Sequence, residues 1–253
     1  MRRSGTGSLS CDDRPHDSEA ACSRTDAGVA VVLVCSGGGW TVPVTASDRF
    51  GRSLAFGGSS TAPTLAVGTP GDDEPGKANC GAVYVVELDA DGAATASTRL
   101  VATVPQLGAG LGASVSVDDA GTTVASGSPL ASASAGEVTV WTNAGSWTAA
   151  TLVPPVPAAN EQFGASVSLG GAGDVLVAGS PLATIGGIAG RGSATVFTLT
   201  AGAWSTYDRL TLPATGSTAS QFGRSVSFAG GTILVGAPKH DGKGTVREFM
   251  GPP

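Results

Sequence analysis

Apolar positions along this chain come in short runs closed by Gly or Pro, the pattern of strands joined by tight turns and not of long helices. The stretch 163–181, FGASVSLGGAGDVLVAGSP, carries it in full. Ser166-Val167-Ser168-Leu169 predicts a first strand and Val175-Leu176-Val177-Ala178 a second. After a loop, Ala194-Thr195-Val196-Phe197-Thr198-Leu199 predicts a third. A Gly-containing turn then leads past Trp204 to a fourth, ending near Leu210-Thr211-Leu212. Four short strands in succession make an antiparallel meander, the blade of a propeller.

The same words recur. Phe50-Gly51, Leu111-Gly112, Phe163-Gly164 and Phe222-Gly223 each precede a small-residue strand. Gly-x-Pro closes the next one, at Gly68 and Pro70, Gly127 and Pro129, Gly179 and Pro181, and Gly236 and Pro238. Their spacing of about 50–60 residues suits one blade. Small residues fit the crowded axis of a propeller. The Phe positions are expected to plug the gap between neighbouring blades, and Pro ends the second strand because it cannot donate to a continuing ladder. Trp40, Trp147 and Trp204 fall on outer strands, where blade edges have room. The repeat units are 9–47, 48–108, 109–160, 161–219 and 220–249. The first is partial, because GVAVVLVCSGGGWTVPV matches third and fourth strands. The last is also partial, stopping after its third strand. The fold class is therefore all-β: one propeller domain over 1–253, with about five units, read as a fragment of a larger propeller. Closure into five blades, the terminal strands completing each other, is the alternative.

Phe222-Gly223 followed by Gly236-Ala237-Pro238 resembles the FG-GAP repeat of integrin α-subunit propellers, and the ordered pair recurs along nearly the whole chain. Leu111 stands for Phe in one unit, and Thr69, Ser128 and Ser180 stand for the central Ala in three others. The resemblance implies an extracellular or cell-surface setting. It also implies a partner-binding face built from the loops joining second to third strands and fourth to next first strands. Calcium in such relatives sits in an Asp-x-Asp-x-Asp-Gly loop between first and second strands, where the ion needs 6–8 oxygen ligands. The corresponding loops here are GGSSTAPT, DDAGTT, GGAGD and AGGT. They offer only Asp118, Asp119 and Asp174, so no calcium or other cofactor is expected. Asp89-Ala90-Asp91-Gly92 lies between third and fourth strands and reads as a hairpin turn.

Charge narrows the partners. Asp and Glu total 20 against 14 Lys and Arg, a formal −6, and charged residues make up only 13% of the chain. No basic stripe exists to displace counterions from phosphates, so nucleic acid is not an expected partner. The apolar run 28–35 falls far short of the roughly 20 residues a membrane helix needs. The opening MRRSGTGSLSCDD has no apolar stretch and reads as no signal peptide. With 39 Gly and abundant Ala and Ser, backbones can approach closely. Cys11 and Cys22 flank a polar loop that a disulfide could close in an oxidising compartment; free thiols are the equal alternative.

Motifs for chemistry fail one by one. GDDEPGKA at 71–78 spaces its glycines and lysine like a phosphate loop, but Ala78 replaces the Mg²⁺-binding hydroxyl and a strand follows instead of a helix. No Gly-x-Ser-x-Gly elbow occurs, and the two histidines, His16 and His240, sit in polar loops. Charge gathers in the second-to-third loops at Asp12, Asp13, Asp72, Asp73, Glu74, Lys77, Lys239, His240 and Asp241. Charged loops on a rigid scaffold are where binding tends to lie, and also where solubility lies. The expected function is a non-catalytic module for recognition of a protein or glycan. The alternatives are an accessory propeller of a secreted hydrolase or other enzyme, and a structural segment of a large surface protein.

Overall fold

A computed structural model describes residues 47–213 and 219–253. The first blade holds β1 (Ser53–Ser59), β2 (Ala62–Thr69), β3 (Ala82–Leu88) and β4 (Ala94–Leu100). The second holds β5 (Ser114–Val117), β6 (Thr123–Ser128), β7 (Glu137–Asn143) and β8 (Trp147–Leu152). The third holds β9 (Ser166–Leu169), β10 (Val175–Ser180), β11 (Ser193–Thr200) and β12 (Ala203–Leu210), and the last β13 (Ser225–Ala229), β14 (Thr232–Ala237) and β15 (Thr245–Met250). Strands pair in chain order within each sheet, antiparallel throughout, giving three four-stranded meanders and one three-stranded. The sheets are β-propeller blades. The unit read at 9–47 lies outside the described residues, apart from Ser47.

The predicted first strand of the third blade matches β9 residue for residue, and the other three differ by one or two residues at their ends. All four second strands stop at the residue before Pro. Thr69 precedes Pro70, Ser128 precedes Pro129, Ser180 precedes Pro181 and Ala237 precedes Pro238. Each proline lies in the turn that follows, outside the ladder. Their surroundings differ: Pro70 and Pro181 are buried, Pro129 is half-buried and Pro238 is exposed. Burial therefore does not explain the recurrence of Pro129 and Pro238. What the four share is a place one residue past the strand, where a missing N–H interrupts no pairing. The loop between β1 and β2 is shorter than GGSSTAPT suggests. Much of that segment is ladder, because Gly57, Gly58 and Ser59 pair with Thr64, Pro63 and Ala62. Pro63 is tolerated near the start of β2, where a missing donor costs least.

The core lies between the blades. Phe163 is fully buried with Val138, Val140 and Leu152 of the second blade and Leu169, Leu176 and Phe197 of the third. Phe222 does the same between the third and last, against Val196, Leu210, Ile233 and Val235. Leu111 fills the equivalent place between first and second, so a branched aliphatic side chain serves there instead of a ring. Phe50 packs with Val67 and Tyr84. Each ring meets an aromatic of its own blade's third strand: Phe50 with Tyr84 at 5.7 Å, Phe163 with Phe197 at 6.0 Å and Phe222 with Phe249 at 6.0 Å between centroids. Trp141 on β7, unmarked by its sequence context, is buried in the Leu111 cluster.

Two hydrogen-bonded seams join neighbouring blades. The Leu111, Phe163 and Phe222 amides donate to the carbonyls of Cys80, Ala135 and Arg191. Nearer the axis, the first Ser of the inner strand in each of the first three described blades donates to the Gly carbonyl of the next blade's Phe-Gly or Leu-Gly pair. Ser53 reaches Gly112 at 2.8 Å, Ser114 reaches Gly164 at 2.8 Å and Ser166 reaches Gly223 at 2.9 Å. The second Ser accepts: Ser116 Oγ from the Leu169 amide and Ser168 Oγ from the Phe228 amide. Ser-Val-Ser is thus a seam, and a hydroxyl that a lone strand would turn to water becomes a bond between blades. The hydroxyls of Thr69, Ser128 and Ser180, standing for Ala in Gly-x-Pro, are buried without a protein partner.

Candidate functional site

The loop Pro70–Gly81, between β2 and β3, carries four of the charged residues that the sequence singles out, and its shape follows from one buried carboxylate. Asp72 lies beneath the loop. Its Oδ2 accepts from Tyr84 Oη at 3.0 Å and from Arg99 Nε at 3.3 Å, and its Oδ1 accepts from Arg99 Nη2. Arg99 Nη1 also reaches Glu74 Oε1 at 2.5 Å. Burial and the adjacent Asp72 push the Tyr84 hydroxyl well above its ordinary pKa. Hydrogen bonding to Asp72 raises the Arg99 guanidinium. Asp73 Oδ1 accepts the Asn79 amide at 2.7 Å, and a tight turn links Glu74 to Lys77 through Lys77 N donating to Glu74 O at 2.8 Å. Cys80 is buried below, and burial raises its thiol. Of the four charged residues singled out in this loop, Asp72 and Glu74 are held by Arg99. Asp73 and Lys77 stay exposed at the surface.

Lys239, His240 and Asp241 sit in the corresponding turn of the last blade, with two blades intervening, so they form a separate group. Lys239 and Asp241 are exposed. His240 Nδ1 lies 3.2 Å from Ser220 Oγ, and its Nε2 lies 3.5 Å from Asp241 Oδ2. The residue types are those of a hydrolytic triad. The geometry does not serve one, because a nucleophile must reach its substrate and Ser220 is only 1% exposed. Asp12, Asp13, His16, Cys11 and Cys22 lie outside the described residues.

Two aspartates in strand-joining loops are engaged in turns. Asp118 is buried and its Oδ1 accepts the Thr122 and Thr123 amides at 2.8 and 2.9 Å. Asp89 Oδ1 accepts the Asp91 and Ala93 amides at 3.0 and 2.8 Å, closing the hairpin between β3 and β4. Among the described residues no three His, Cys, Asp or Glu gather as a metal site. Nor is any helix among them long and apolar enough to cross a membrane.

Two further acids had no sequence signal. Glu137 opens β7 and is buried, with Oε2 accepting from Gln106 Nε2 at 3.1 Å. Glu161 is buried two residues before Phe163 and lies 3.7 Å from Arg209 Nη2. Burial raises the pKa of both above the ordinary 4.5. A raised carboxyl pKa means the folded chain holds the proton more tightly than the unfolded one. That stability is complete below about pH 4.5 and is lost as pH rises through the folded value. Glu137→Gln should therefore flatten the fall of stability above that pH, read from urea midpoints across a pH series. Parallel curves for the two proteins would show that Glu137 titrates normally.

These features define the class: a propeller of meander blades whose recurring words are packing devices. The FG-GAP repeat model matches residues 44–86 and 204–247, and the chain carries FG-GAP repeats at both. No curated protein sequence matches the chain. Among solved structures, one described as the structure of putative TolB from Agrobacterium tumefaciens is similar at a TM-score of 0.46 and 10% identity. The likeness covers 83% of this chain, which spans 60% of the length of that one.

Proposed function

We propose that this chain is a non-catalytic recognition module, acting at the cell surface or outside the cell. In this reading a rigid FG-GAP propeller presents its second-to-third loops to a protein or glycan, without calcium or another cofactor. The observation that supports it is the Pro70–Gly81 loop. Asp72, Tyr84 and Arg99 fix it from below, while Asp73 and Lys77 stand exposed on a shaped surface. A pre-ordered loop loses less conformational freedom on binding, which favours recognition. The extracellular setting rests on the FG-GAP repeats themselves.

Glycan-array and protein-panel binding of the whole chain tests the reading. A specific ligand should be found, bound equally well in the presence of a chelator, and lost in Asp73→Asn/Lys77→Gln. Those positions are exposed, so the double variant should fold as the parent does. Undiminished binding by that variant would move the site away from this loop. Turnover of an ester or glycoside substrate by the purified chain would overturn the non-catalytic reading.

A further inference from the structure

The four-stranded blades end on the edge strands β4, β8 and β12, whose outer sides pair with no strand among the described residues. Two of these edges are blunted. β4 carries an extra residue at Thr95, between Ala94 opposite Leu88 and Ala96 opposite Glu87, and holds Arg99 near its end. β12 carries one at Tyr207, between Thr206 opposite Phe197 and Asp208 opposite Val196, and holds Asp208 and Arg209. Asp208 Oδ1 also accepts the Arg209 amide at 2.7 Å, so a side chain takes up a donor of that strand. Bulges and charges of this kind keep a sheet edge from pairing with another strand.

β8, in the middle of the described blades, has neither. Its sequence, WTAATL, is uncharged and free of Pro. It runs against β7 in unbroken register, from Asn143 opposite Trp147 to Val138 opposite Leu152. Thr148, Ala149 and Thr151 are exposed, and all three side chains are small enough to leave the backbone within reach.

Asn143 fixes which backbone groups of β8 face outward. Its amide donates to Thr122 O at 2.8 Å, on the β6 side of the sheet and away from β8. Asn143 and Trp147 are therefore a non-hydrogen-bonded pair, and without a bulge the alternation continues down the strand. The N–H and C=O groups of Trp147, Ala149 and Thr151 all point away from the sheet. A row of this spacing is matched by another extended strand, and one such strand is β8 itself. With a two-fold axis at Ala149, that residue lies opposite its own copy, and Trp147 lies opposite Thr151 on either side. Outward groups then meet outward groups throughout, and an aromatic ring faces a β-branched side chain. A symmetric contact also brings charges of one sign together, and β8 has none to oppose it.

We propose that β8 pairs antiparallel with β8 of a second copy of this chain, about a two-fold axis at Ala149, joining the two second blades into one sheet. A single strand pair buries little surface, so the dimer forms at high concentration and dissociates on dilution.

Sedimentation velocity of the whole chain over a wide concentration range should show a monomer–dimer equilibrium. Ala149→Lys sets two cations against each other at the axis and should stay monomeric throughout. Ala149 is exposed, so the fold should be unchanged, which circular dichroism checks; Thr151→Lys takes its place if that variant misfolds. Cross-linking with oxidised glutathione reads the register. Ala149→Cys should give a disulfide dimer, because residues facing each other across the axis lie within disulfide reach. Thr148→Cys should give no more than the unaltered protein, because Thr148 faces Ala150 of the second copy. A chain monomeric at every concentration overturns the proposal. So does a dimer that survives Ala149→Lys, an assembly larger than two copies, or equal cross-linking at both positions.

Discussion

Phe163→Ala should destabilise the chain by about 3–5 kcal/mol, the cost of emptying a fully buried ring site. Phe163 is shared between two blades, so its loss strips Val138 and Val140 on one side and Leu176 and Phe197 on the other of a common neighbour. The blades stack in sequence, each joined to the next. A weakened junction in the middle therefore threatens the cooperativity of unfolding as well as its midpoint. Urea unfolding followed by fluorescence and by circular dichroism should give a lower midpoint and transitions that no longer coincide. Tyr207→Ala is the control, since that ring is exposed on an outer strand and its truncation should leave the midpoint nearly unchanged. A loss below about 1 kcal/mol at Phe163 would mean that the blades do not depend on the plug.

Gly136→Ala should cost about 2–6 kcal/mol, from backbone strain of about 1–3 and forced separation of about 1–3. Gly136 precedes β7 at a φ of +86°, and a Cβ there would run into the backbone of Phe163 on the next blade. The same close approach recurs at Gly81 against Leu111 and at Gly192 against Phe222. Gly145 separates the two penalties. Its φ is +97°, but nothing lies within 4 Å of a built Cβ, so Gly145→Ala carries the strain alone. The difference between the two variants in urea stability measures how tightly the second blade abuts the third. Equal losses would show that the junction yields at no cost.

The blades were legible because their signals are local. Alternation over a few residues sets a strand, Gly-x-Pro stops it, and Phe-Gly starts the next, so β9 and the ends of all four second strands follow from neighbouring residues. The glycine before each third strand was equally present in the sequence, at Gly81, Gly136, Gly192 and Gly244. Among so many glycines it had no distinguishing mark until its neighbour across the junction was known. The candidate site was less legible. Asp72 and Asp73 are adjacent acids in a polar loop and look alike in sequence. One is buried beneath the loop and the other faces outward, because Arg99, 27 residues on, reaches back to Asp72.

Sequence by itself determined the strands, the turns, the repeat and the identity of the small and aromatic residues that recur within it. These depend on the pleat's two-residue period and on backbone angles that only certain residues adopt. Tertiary structure alone decided which repeated residue does what. The Ser hydroxyls became seam donors and acceptors across 50–60 residues of chain. The Gly carbonyls became their partners, and Asp72, Glu137 and Glu161 left the solvent for the interior. Those fates rest on contacts between residues distant in the chain, and a hydroxyl or a carboxylate gives no local sign of whether water or another blade will satisfy it.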